Sequence, residues 1–178
     1  MSRFHRVELS AGLAATLLDR HTQQQLSPHD YRLQVRVGRF SKTAIRSLGI
    51  RDLDVVTSVA VLVKIMQKHG LDSSLIGGLA EMVLTPVAVY KSATERESIV
   101  LVTANLPDDI NPLLIAIKID VMGAAGKSHF HWMASAYAKN NPGIIARWER
   151  DGLLLWRAEQ RVARETTERY TDIAAMEQ

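Results

Sequence analysis

The sequence predicts an α+β fold, with N-terminal helices packed on a roughly five-stranded antiparallel sheet and a further helix at the C-terminus. Three observations predict it. Apolar residues recur at helical spacing up to Leu84, and apolar or alternating runs separated by turns begin after Pro86. Residues 158–178 are strongly charged, with Arg161 and Glu165, then Arg164 and Glu168, at helix-supporting i,i+4 spacing.

The helical half reads in order as follows. Residues 10–25 have Ser10 as a candidate cap and a stripe of Leu13, Leu17 and Leu18, ending at "QLSPHD"; residues 1–30 are expected to form a helical arm. In "YRLQVRVG", Leu33, Val35 and Val37 alternate with Arg32, Gln34 and Arg36, as in a half-buried strand with a basic outer face. "SKTAIRSLG" is a short helix closed by Gly49. From Ser58, "SVAVLVKIMQKHG" is a longer helix ending at Gly70, which turns Leu62, Ile65, Met66 and His69 inward. "DSSLIGGLAEMVL" is a second one, weakened by its adjacent glycines.

After Pro86 come "VAVYKS", "ESIVLVTA", "PLLIAIKID" and "HFHWMASAY", which read as an antiparallel meander. The flexible "VMGAAGK" precedes the fourth run. A short helix containing Ile144, Ile145 and Trp148 ends at Gly152, before a last strand, "LLLWR". Trp132, Trp148 and Trp156 are expected in the core rather than as base-stacking platforms.

Composition narrows the function classes. A chain of 178 residues, 47% hydrophobic, can bury a core of its own. The absence of cysteine removes disulfides, thiolate metal sites and thiol nucleophiles. Lysine and arginine number 22 against 19 aspartates and glutamates, and the resulting pI near 9.3 is only a weak pointer to a polyanionic partner. No run of about 18 apolar residues occurs and the N-terminus lacks a long apolar region, so a cytoplasmic protein without a membrane partner is expected, with delivery into a target cell left open.

The stretch "SHFHWMASAYAKNNPG", residues 128–143, carries the densest chemistry. Read as a regular strand, it turns His129, His131, Met133, Ser135 and Tyr137 to one face and Phe130, Trp132, Ala134 and Ala136 to the other. His129 and His131 could chelate a metal, yet no third ligand stands at a diagnostic spacing. "GAAGKS" is only a partial phosphate loop, and Ser135 has no nucleophile elbow.

A polar set remains, spread over several elements: Lys68 and His69 at a helix end, Lys91 and Ser92 at a strand end, and Ser135, Tyr137 and Lys139 on the fourth run. Such a set suits metal-free cleavage of RNA. A base takes the ribose 2′-hydroxyl proton, an acid protonates the leaving oxygen, and cations stabilise the charge growing on phosphorus. Each residue also has a plain reading: His69 as a cation favoured at a helix C-terminus, Lys64 and Lys68 as a solvated stripe, Ser135 and Tyr137 as hydroxyls with backbone partners.

"VGRFSKTAIRSLGI", "VLVKIMQKHGL", "TPVAVYKSAT", "ESIVLVT", "PLLIAIKID" and "ASAYAKNNPGIIARWERDGLLLW", in this order, resemble the C-terminal domain of phage MuF-type proteins over roughly residues 33–157. That domain belongs to the barnase, EndoU, colicin and RelE-like nucleases of phage, plasmid and polymorphic-toxin proteins. The resemblance implies a barnase- or RelE-like sheet in a nuclease-like domain over residues 31–157, and a metal-independent endoribonuclease toxin needing no cofactor. It further implies RNA, including tRNA, as substrate, and an antitoxin or immunity protein as partner. The family's motif falls here on Lys68 and His69, Ser92 and Thr94, then Ser135, Tyr137 and Lys139. His69, Ser135 and Tyr137 are therefore the catalytic candidates, and Lys68, Ser92, Thr94 and Lys139 the substrate-binding ones; Lys91, His131 and Arg157 are added to the substrate-binding set from their places on the strands, Arg157 as a transition-state cation. The rival expectations are a non-catalytic phage or plasmid accessory protein that binds nucleic acid or a host protein through the same face, and a module whose N-terminal helix drives self-assembly.

Overall fold

In the computed structural model, residues 7–105, 112–123, 126, 128–138 and 143–158 are described. The expected C-terminal helix and Lys139 lie outside them.

The described residues form one mixed α+β unit around an eight-stranded sheet. In chain order the elements are β1 (Val7–Glu8), α1 (Ala11–Thr22), β2 (Gln34–Arg39), α2 (Lys42–Leu48), β3 (Asp54–Ser58), α3 (Val59–His69), α4 (Ser73–Gly77), α5 (Leu79–Leu84), β4 (Ala88–Lys91), β5 (Ser98–Asn105), β6 (Pro112–Met122), β7 (His129–Ala138), α6 (Gly143–Arg150) and β8 (Leu154–Arg157). The sheet order is β1-β2-β3-β7-β6-β5-β4-β8.

The antiparallel meander expected after Pro86 is present as β4 to β7. The expected count and direction are not. β3 pairs with β7 in parallel, through Val55 to His131 and Val56 to Trp132, and β1 pairs in parallel with β2. β3 was hidden because its apolar core is only Val55 and Val56 between polar neighbours, too short a run to show a period.

Local chemistry accounts for most helix boundaries. The Ser10, Ser41, Ser58 and Asp72 side chains each accept the backbone N–H three residues on, which satisfies one otherwise unpaired donor of the first turn. Gly49 and Gly70 end α2 and α3 in the left-handed region that glycine alone enters freely. The weakened second helix breaks at Gly77 and Gly78 into α4 and α5.

Two apolar clusters lie on opposite faces of the sheet. The larger joins α1, α3, α4 and α5 to Val55, Val89, Leu101, Ile115 and Met133, among others. Residues of the expected arm contribute to it, since Ala14 and Leu17 are buried there. The smaller places Trp148 of α6 over Ala88, Tyr90, Val100, Val102 and Leu114, with Tyr137 packed against it.

One irregularity decides which way the fourth run faces. Ser135 pairs with Ala116 and Met133 with the next residue, Ile117, so Ala134 is an extra residue on β7. The bulge reverses the alternation. Met133 and His131 face the helix-bearing side, where His131 meets Phe40 at 5.5 Å between ring centroids. Trp132, Ser135 and Tyr137 pair with Lys118, Ala116 and Leu114 and share the α6 face. The single odd-numbered face expected from a regular strand is therefore corrected to two half-strands of opposite parity.

Candidate active site

His69 ends α3, which follows β3 away from the sheet and packs on β7. Its ring lies against that of Tyr137, with centroids 5.6 Å apart and planes inclined by 40°. Among the described residues the imidazole has no hydrogen-bond partner, so both nitrogens are free to exchange a proton. Burial lowers its pKa from the ordinary 6.5, and the charges of Lys68 and Lys64 lower it further. Those effects oppose the helix dipole, which favours a cation at this end, and they keep the ring neutral and able to accept a proton near pH 7.

Burial raises the pKa of Tyr137 above that of an ordinary phenol, so its O–H stays a hydrogen-bond donor. Ser135 sits two residues earlier on the same face, half-buried. Lys68 is exposed beside His69. Of the expected residues His69 and Tyr137 are in contact, with Lys68 close enough for its charge to act on His69 and Ser135 next along the Tyr137 face of β7.

The other candidates lie elsewhere. Lys91 is paired with Ile99, which belongs to the larger core, and lines a groove of about 530 Å³ with Leu48, Ile50, Ile119 and Leu155 on the opposite side of the sheet from Tyr137. Ser92 and Thr94 stand in the β4–β5 turn, where Ser92 Oγ accepts the Thr94 and Glu95 N–H groups at 3.4 and 3.1 Å. Their visible role is to shape that turn.

His131, expected at an open substrate contact, is fully buried. Its Nδ1 accepts the Asp120 N–H at 3.2 Å, which leaves Nε2 to donate to the Arg51 carbonyl at 3.0 Å. The ring joins the segment before β3 to the end of β6 as a neutral structural group. His129 pairs instead with the Asp120 carboxylate at 2.7 Å, which Arg51 also holds at 3.0 Å.

Arg157 is paired across from Ala88, in the row that continues through Val102 and Leu114 to Tyr137. Four strand spacings of about 4.8 Å put it about 19 Å from Tyr137 along the sheet. There it donates to the Tyr90 hydroxyl at 3.1 Å and to the Glu149 carboxylate, and Tyr90 donates to Glu149 at 3.0 Å. Hydrogen bonds from Tyr90 and Arg157 hold the Glu149 carboxyl below its usual range. Tyr90 and Glu149 were missed because the closure links residues 59 and 67 positions apart, and local spacing carries no trace of it.

The fold and this site define a class: an α+β domain whose antiparallel meander displays a histidine–tyrosine contact beside lysines. Comparison with protein families matches residues 62–164 to the phage MuF C-terminal domain. The chain belongs to that family, which ties it to phage. No curated protein and no solved structure matches it. Among the described residues no helix is long and apolar enough to cross a membrane.

Proposed function

We propose that the chain is a metal-independent endoribonuclease acting as a phage, plasmid or polymorphic toxin or effector, held in check by an antitoxin or immunity protein. The contact between His69 and Tyr137 carries this reading. His69, kept neutral by burial and by Lys68 and Lys64, takes the proton of a ribose 2′-hydroxyl. The 2′-oxygen attacks phosphorus, the P–O5′ bond breaks, and the departing oxygen receives a proton, leaving a 2′,3′-cyclic phosphate and a 5′-hydroxyl end. Tyr137 and Ser135 orient the phosphoryl oxygens or supply that proton, and Lys68 stabilises the charge that grows on them. Lys139 is assigned to phosphate by the family motif alone. Arg157, about 19 Å away along the sheet, is assigned to substrate outside the reacting phosphate.

The test is incubation with total RNA and with tRNA in EDTA. Cleavage to cyclic-phosphate ends is expected, with His69→Ala slower by about 100-fold or more and an acid limb of kcat/KM below the ordinary histidine range. RNA left intact at high protein concentration, or cut only with a divalent ion, overturns the mechanism. Salt-dependent RNA binding that is unchanged in His69→Ala, without cleavage, identifies a non-catalytic binder.

A further inference from the structure

Trp132 belongs to neither hydrophobic cluster of the described residues, although two other tryptophans join them, Trp148 within the smaller and Trp156 against the larger. It is half-buried on β7, its ring centroid 6.2 Å from that of Phe130. Its antiparallel partner is Lys118, exposed on β6, and its parallel partner is the buried Val56 on β3. Among the described residues Lys118 pairs with Glu95 alone, at 3.6 Å, with both side chains about half exposed. A water-screened pair of this kind is worth little and exchanges readily for a phosphate.

The bulge at Ala134 sets the direction of this surface. It places Trp132 on the same face as Ser135 and Tyr137, where a regular strand would have put the indole on the opposite side. The partners of Trp132 and Tyr137, Lys118 and Leu114, are four residues apart on β6, which spaces the two aromatic positions by about 13 Å. α6 covers the Leu114 end of this face through Trp148. At the other end the exposed Lys118 and the half-buried Ala116, Ser135 and Trp132 face outward.

We infer that Trp132 is a base-stacking platform for single-stranded RNA, whose backbone passes Lys118 and runs along β7 to the His69–Tyr137 contact. The inference rests on the ribonuclease reading for the reacting end of the path. The occupant is a single-stranded polyanion because Lys118 stands beside Trp132 at one end and the charges of Lys64 and Lys68 act on His69 at the other. A half-exposed indole can stack on an unpaired base whatever its identity, whereas a duplex keeps its bases stacked on one another.

The probe is a short, fluorescein-labelled single-stranded oligoribonucleotide, and for binding alone its uncleavable all-2′-O-methyl form. Trp132→Ala is expected to raise Kd for the 2′-O-methyl probe, and KM for the cleavable one, about ten-fold. Trp132→Phe restores most of both, and affinity for a blunt duplex does not change. Circular dichroism and thermal melting of each variant separate lost stacking from lost folding. Cleavage with KM unaltered in a folded Trp132→Ala overturns the platform and leaves the nuclease reading standing. Trp132-dependent binding without any cleavage overturns the nuclease reading and leaves the platform. Equal binding of the 2′-O-methyl probe by wild type and Trp132→Phe, but also by Trp132→Ala, overturns the platform whatever the activity.

Discussion

Among the described residues, two histidines have lowered pKa values, and their surroundings give that lowering different consequences. His69 is half-buried and has no hydrogen-bond partner among the described residues, whereas His131 is fully buried and engages both nitrogens. Burial is the first cause of the lowering at His131, and the bond to the Arg51 carbonyl only partly opposes it. The charged groups around that ring are Asp120, Arg51 and Asp52, with His129 on the far side of Asp120. Protonated, the ring can no longer accept the Asp120 N–H. Because the folded value lies below the unfolded 6.5, the stability held by the neutral ring is complete above pH 6.5 and is lost as pH falls from there through the folded pKa. One proton steepens the pH dependence by at most about 1.4 kcal/mol per pH unit. Urea midpoints taken at pH 7.5 and pH 5.5 are expected to drop more for the wild type than for His131→Gln, which can accept and donate through the same two directions without charging. Equal drops would show that the ring does not titrate during unfolding.

At the scale of the element, Gly77 and Gly78 look alike in the sequence and differ in the fold. A Cβ on Gly77 would lie 2.5 Å from the Ala11 N, in the backbone of α1, while a Cβ on Gly78 meets nothing closer than 3.4 Å. The expected helix does not merely fray at a weak pair; it passes so close to α1 that only glycine fits. Gly77→Ala is expected to cost about 1–3 kcal/mol through overpacking, and Gly78→Ala far less, since alanine also favours helix by about 1 kcal/mol. Chemical denaturation of the two variants checks the contrast. The same distinction explains what was legible. Serine and aspartate caps, glycine stops and alternating runs are local signals, and they place α1, α2, α3, α6 and the meander. The bulge at Ala134, the parallel β3–β7 pair and the approach of Gly77 to Ala11 depend on partners remote in the chain. No spacing within one element records them. His69 and Tyr137 were nameable as chemistry-bearing residues for that reason, but the face on which Tyr137 meets its neighbours was not.

For the whole molecule, the question is whether residues 1–30 are an appendage or part of the folded unit. β1 extends the sheet through Val7 to Val35 and Glu8 to Arg36, and Arg36 bonds Glu8 at 2.6 Å. Leu9, Ala14 and Leu17 are buried in the larger core, with Leu13 and Leu18 packed against it. α1 also touches α3, where His21 contacts both Tyr31 and Gln67. Removing residues 1–22 exposes the surface these side chains cover. At about 1.5–3 kcal/mol for each fully buried leucine, the loss is about 3–6 kcal/mol for Leu9 and Leu17 alone. For a domain of this size each kcal/mol moves Tm by about 2–4 °C, so the truncated chain is expected to melt about 10 °C lower or more and to bind a hydrophobic dye. A self-assembly module with a detachable N-terminal helix predicts the opposite: oligomers dissociate while Tm hardly moves. Sedimentation and a thermal melt on the same truncated sample separate the two, and the burial of Ala14 and Leu17 beneath α4 favours the fall in Tm.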